Sequence, residues 1–191
     1  MKVAALILTL ILSSVIASDC LATRRDARSS DLHTFLAKEL KDNSSFNDHF
    51  DAQVWLLDMS TRLQRFVDDN PEGLHILKAV HREATAAGLK PDLVLALIQV
   101  ESHFNRYAVS RVGAQGLMQI MPFWKHEIGR PKDNLTDIDT NVRYGCRILQ
   151  FYLQREQGNM TKALARYNGS VGKTWYPELV MNAWYGYWIE G

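Results

Sequence analysis

Two cysteines in 191 residues are too few for a disulfide framework, and no Cys/His group has the spacing of a structural zinc site. Charge of one sign is just as scarce. Lys+Arg number 22 against 21 Asp+Glu, a formal net charge of +1, which excludes a strongly basic nucleic-acid binder and an acidic disordered tail. There is no internal repeat and no low-complexity block. What the chain does hold is 47% hydrophobic residues, with five Trp, seven Tyr and seven Phe. That supply suits a buried core or a groove that stacks on flat ligands, and the length suits one domain of ordinary size.

Met1-Lys2 leads an apolar run from Val3 to Ile16, broken by Thr9, Ser13 and Ser14. A charged start and a short apolar middle make a secretory signal peptide, and the run is short for a membrane span. Cleavage after Ala17 removes Lys2 and leaves a formally neutral mature chain with no transmembrane segment. Asp19 precedes Cys20 where a lipobox calls for a small residue, which argues against a lipoprotein. In an oxidising compartment Cys20 and Cys146 can pair; a buried, unpaired Cys146 is the alternative.

Period-two alternation is nearly missing, and the chain reads as helix after helix. Asp31 can cap a helix over Leu32–Leu40. A second is expected from about Asp48 to Asp69, with Val54, Leu57, Leu63, Phe66 and Val67 inward. Pro71 opens a third that Gly88 closes, and Pro91 opens a fourth reaching about Phe104. Short helical pieces are expected at Leu117–Met121 and Pro122–Ile128. A long helix runs from about Asp139 to Gln157, a short one covers Thr161–Tyr167, and a last one spans Pro177 to Trp188. The expected organisation is 1–17 signal peptide, 18–70 leader and helical extension, and 71–191 a single all-α domain.

The Pro91 helix carries the most informative residue. Val94, Leu97 and Ile98 stand at i, i+3 and i+4, and the next position on that stripe is Glu101. Desolvation there raises a carboxyl pKa, and the negative end of the helix dipole pushes the same way. The expected result is a carboxyl protonated near neutral pH that can donate a proton; the plain alternative is a Glu reaching solvent past the helix end. Ser110 follows, then Gly113 to Pro122, a glycine-bearing stretch suited to a tight loop lining a cleft. Gln119 offers both donor and acceptor, and Tyr167 could hydrogen-bond a carboxyl across the fold.

Glu101-Ser102, Gly116-Leu117-Met118-Gln119 and Tyr167-Asn168-Gly169 together resemble, in order and spacing, the three signature stretches of the soluble lytic transglycosylase (SLT) domain. The resemblance covers roughly Leu74 to Gly172. Arg166 stands where many members carry Ala, and Gly169-Ser170 where Ala-Gly is common.

The resemblance implies a lysozyme-like all-α fold, with the helical N-terminal extension outside it. It also implies cleavage of the β-1,4 bond between N-acetylmuramic acid and N-acetylglucosamine in peptidoglycan, with 1,6-anhydro ring formation. Glu101 would be the one catalytic residue. Ser110 and Gln119 would contact saccharide, Met121 would help form the floor, Tyr167 would orient Glu101, and Asn168 would hold the adjacent loop.

A goose-type-like lysozyme hydrolysing the same bond and a non-catalytic wall-binding scaffold are the competing readings. The partners implied are glycan strands, and no nucleic acid. A secretion or conjugation apparatus is a possible protein partner that no motif names. The implied location is periplasmic or otherwise at the cell wall, with no cofactor. Asp133, Asp137 and Asp139 read as loop and cap acids. His75, His81, His103 and His126 lack ligand spacing, so no metal is implied. Phe104, Tyr107, Phe123, Trp124, Trp175 and Tyr176 could stack on sugar rings, whereas Trp184, Tyr185, Tyr187 and Trp188 suit core packing.

Overall fold

The computed structural model describes residues 49–189, with side chains from residue 53 onward. The expected signal peptide, the expected helix over Leu32–Leu40 and Cys20 lie outside the described residues. From Asp58 to the last described residue the chain forms one compact unit.

Helix α1 spans His49–Leu63. Met59, Ser60 and Leu63 are buried, a spacing that keeps one stripe inward. The helix ends earlier than Asp69, and Val54 is exposed, not inward. Phe66 lies in the turn beyond it, where its ring meets Phe104 at 5.1 Å and Trp188 at 6.1 Å. Tertiary aromatic packing therefore claims residues whose spacing alone would continue the helix.

Helix α2, Asn70–Ala86, starts on Pro71, whose missing N–H costs nothing in a first turn. It closes as Gly88 N donates to Thr85 O at 3.0 Å and Leu89 N to Ala84 O at 2.9 Å. Helix α3, Pro91–Ser102, is buried on all sides, since six consecutive residues from Leu93 to Ile98 are at most 1% exposed. The apolar stripe that led to Glu101 is thus one face of a fully enclosed helix. After Ser102 the chain turns through two left-handed residues, His103 (φ 49°) and Phe104 (φ 63°). Neither is glycine, so the turn costs roughly 1–2 kcal/mol at each. Burial of Phe104 against Phe66 and Trp188 holds it in place.

Leu117–Met121 is not helical. Gln115 forms isolated β-bridges to Val109 and Ile120, and positive φ at Gly113, Gly116 and Gln119 breaks the helical path. Helix α4 covers only Trp124–Ile128. Helix α5, Ile138–Arg155, is capped by Asp137, whose carboxylate accepts from Thr140 N at 2.9 Å. Helix α6, Met160–Asn168, is capped by Asn159, which accepts from Lys162 N at 3.0 Å. Helix α7, Trp175–Ala183, runs into a π-helical turn, Trp184–Trp188. Trp184 and Trp188 are buried, and Trp188 Nε1 donates to Gln99 Oε1 at 2.7 Å, so most of this aromatic cluster packs inward; Tyr185 is exposed.

Around the enclosed α3 pack α2, α7 and the π-helical turn, while α5 joins α2 to α6. Among the described residues no helix is long and apolar enough to cross a membrane. Cys146 is a buried free thiol on α5, and burial pushes its pKa up.

Candidate active site

Glu101 occupies the last turn of α3, half-buried, with its side chain leaving the enclosed part of the helix. Burial pushes its carboxyl from 4.5 up to about 7, against a hydrogen bond that lowers it. That bond comes from Tyr176, in the first turn of α7, whose hydroxyl donates to Glu101 Oε1. The two effects set an acid that holds its proton near neutrality yet has a donor waiting for the carboxylate. Burial and the Glu101 charge push the Tyr176 hydroxyl well above 10, so it stays protonated and remains a donor.

Tyr167 does not make the expected bond. Its hydroxyl donates to the Met118 carbonyl at 2.8 Å, and Tyr176 takes the position beside Glu101. Tyr167 is still near enough that the Glu101 charge helps raise its own pKa. Tyr176 is 2% exposed, as is Phe104, so neither is available to stack on a sugar. Tyr107, Phe123 and Trp175 are exposed, by 50% or more.

The loop after α3 is held from three directions. Ser102 Oγ donates to Leu117 O at 2.7 Å. Tyr167 takes Met118 O, and Asn141, from the first turn of α5, fills the gap between. Its amide donates to Gln115 O at 2.8 Å and Leu135 O at 2.7 Å, while its oxygen accepts from Met118 N at 2.7 Å. Asn141 is 1% exposed, with both ends of its amide satisfied. Gly116, at φ 78°, lies so close that a Cβ would overlap the Asn141 amide and the Leu135 carbonyl oxygen. Met118 in turn packs against Gly145 of α5, where a Cβ would collide with its sulfur.

The remaining candidate residues fall along this loop and its neighbour. Ser110 closes a turn, its hydroxyl accepting from Ala114 N at 3.0 Å. Gln119 Nε2 donates to Gly116 O at 2.9 Å and Ala108 O at 3.3 Å. Met121 is half-buried just before α4, and Asn168 is exposed at the end of α6. Ser102, Gln119 and Tyr167 therefore brace the loop, while Glu101 is the titratable group with chemistry to offer.

The three acids that follow the loop in sequence are committed elsewhere. Asp133 accepts from Tyr144 OH at 2.7 Å, Asp137 caps α5, and Asp139 bonds His75 at 2.8 Å and Arg82 at 2.7 Å. Among the described residues no group of three His, Cys, Asp or Glu side chains is placed to hold a metal.

Two residues central to this arrangement escape sequence reasoning. Asn141 resembles any polar residue in a helix, and Tyr176 stands in an aromatic pair with Trp175. Their bonds reach 23 and 75 residues along the chain.

Comparison with known proteins finds the following similarities. "Membrane-bound lytic murein transglycosylase C" of Yersinia pestis (strain Pestoides F) is 33% identical over 112 residues. The protein of that name from Yersinia pseudotuberculosis serotype O:1b (strain IP 31758) matches equally. Each alignment covers 50% of this chain but 31% of the relative, so the chain spans under a third of the length of these curated relatives. The solved complex of the 70-kDa soluble lytic transglycosylase with bulgecin A is 23% identical, with a TM-score of 0.45, covering 82% of this chain and 29% of that one. The family model for the transglycosylase SLT domain matches residues 78–178, a span that contains Glu101, the braced loop, Tyr167 and Tyr176. That span is more than half of the chain, and the protein belongs to the transglycosylase SLT-domain family.

Proposed function

We propose that the protein is an exported peptidoglycan lytic transglycosylase, cleaving the β-1,4 bond between N-acetylmuramic acid and N-acetylglucosamine. The observation that carries this reading is the half-buried Glu101, its carboxyl raised to about 7 with the Tyr176 hydroxyl against it. Protonated Glu101 donates to the glycosidic oxygen as the bond to C1 breaks. The resulting carboxylate, held by Tyr176, then takes the proton of the muramoyl C6 hydroxyl as that oxygen attacks C1. One 1,6-anhydro ring forms, no water is consumed, and Glu101 ends protonated. A pKa near 7 makes both forms accessible to the one residue.

Ser110, Gln119 and Met121 belong to the loop that would face the strand, and Asn168 follows Tyr167, which bonds that loop from α6. The signal-peptide reading of residues 1–17 supports action at the cell wall. A binding-only scaffold is the weaker reading, because it gives no reason to keep a desolvated carboxyl against a buried phenol.

The test is solubilisation of purified peptidoglycan by the full chain across pH. Activity should fall as pH rises through about 7, where free enzyme loses the acidic proton. Tyr176→Phe removes the bond that favours the carboxylate, so the falling limb should move up by roughly one unit. No clearing at any pH contradicts the proposed activity, and an unmoved limb in Tyr176→Phe removes that residue from its role.

A further inference from the structure

A second candidate site borders α6. Helix α6 and the segment 171–174 border an open cavity of about 510 Å³, lined by Lys162, Arg166, Lys173, Glu156, Thr161 and Thr174, among others. Arg166 Nε donates to the Glu156 carboxylate, and this ion pair uses the acid in the lining. Lys162 and Lys173 make no ion pair among the described residues, so the cavity keeps two uncompensated ammonium groups. Ala165 and Val171 add an apolar part, and no aromatic side chain lines it.

A ring-stacking sugar subsite needs an aromatic face, which this cavity lacks. Two lysines, threonine hydroxyls and a small apolar patch fit instead a short peptide bearing carboxylates. In peptidoglycan such a peptide hangs from the muramoyl residue. The cavity is also tied to the reacting side of the molecule: Thr174 lines it, and two residues later Tyr176 holds Glu101. On α6, Arg166 lines the cavity, while the next residue, Tyr167, bonds the loop.

We propose that this cavity binds a carboxylate of the peptide stem through Lys162 and Lys173, making the enzyme prefer stem-bearing strands over bare glycan. The proposal rests on the transglycosylase reading. Its test pairs kinetics with direct binding.

In the double variant Lys162→Gln/Lys173→Gln, kcat/KM on stem-bearing strands should fall about five- to tenfold, the scale of two exposed charge pairs. On strands stripped of peptide it should be unchanged. Titrating a free stem tetrapeptide into the wild-type chain should shift the Lys162 and Lys173 amide resonances, and the fully amidated peptide should not. Equal losses on both strands, no loss on either, or shifts produced equally by inorganic phosphate would overturn the proposal. Should the wild type cleave neither strand while the peptide still binds selectively, the transglycosylase reading fails and the binding site stands.

Discussion

Glu101→Gln is expected to lower peptidoglycan cleavage by roughly 10³–10⁴-fold, toward the upper end of what general acid–base catalysis contributes. The effect should be large because in the proposed mechanism one residue serves both proton transfers, while Asp133, Asp137 and Asp139 are bonded elsewhere. The amide keeps the shape of the side chain and can still accept from Tyr176, so folding should be retained.

Stability adds a check with a definite sign. The folded carboxyl titrates at about 7 against 4.5 for the free group. Between those values the unfolded chain gives up its proton while the folded one keeps it, so the wild type loses stability as pH rises through that window. The Gln variant has no such titration. Its melting temperature relative to wild type should rise from pH 4.5 to pH 7 and level off above. A relative melting temperature independent of pH would contradict the raised pKa, and activity within tenfold of wild type would remove Glu101 as the acid.

Gly116→Ala should produce the largest loss of stability. The residue sits at φ 78°, and its Cβ would overlap the Asn141 amide and the Leu135 carbonyl oxygen. Moving Asn141 aside breaks up to three hydrogen bonds, two of them buried, at about 1–3 kcal/mol each. Loss of even one of them, with a backbone cost of about 1–2 kcal/mol, makes a total of roughly 2–5 kcal/mol, a large share of the ~5–15 kcal/mol that holds a domain folded. Gly113→Ala is the matched control. It has a similar φ, 88°, but nothing within 4 Å of the added carbon, so only the backbone cost of about 1–2 kcal/mol applies. Chemical denaturation of the two variants should separate them, and equal losses would contradict the close packing of Gly116 on Asn141.

Helices were legible where punctuation and apolar spacing agree. Pro71 and Gly88 bracket α2, Pro91 opens α3, and Asp137 caps α5. Glu101 was legible for the same reason, as the polar residue extending an apolar stripe. The stretch Leu117–Met121 was not, because a short apolar run lacks a period of its own. Its path is set by positive φ at Gly116 and Gln119 and by bonds from Ser102, Asn141 and Tyr167. The exchange of roles between Tyr167 and Tyr176 is of the same kind. Both are phenols near helix ends, and which one meets Glu101 depends on how α6 and α7 pack, a relation that neither local sequence contains. Burial of Phe104 likewise follows from the left-handed turn after α3 and the distant Phe66 and Trp188 rings.

The central claim is that a single carboxyl cleaves the strand without water, and product mass tests it most directly. Purified sacculi digested by the full chain should release muropeptides ending in 1,6-anhydro-N-acetylmuramic acid, each lighter by one water than its hydrolytic counterpart. Digestion in heavy-oxygen water should leave those ends unlabelled. Products ending only in reducing N-acetylmuramic acid that carries the heavy oxygen would contradict the account and identify a lysozyme-type hydrolase.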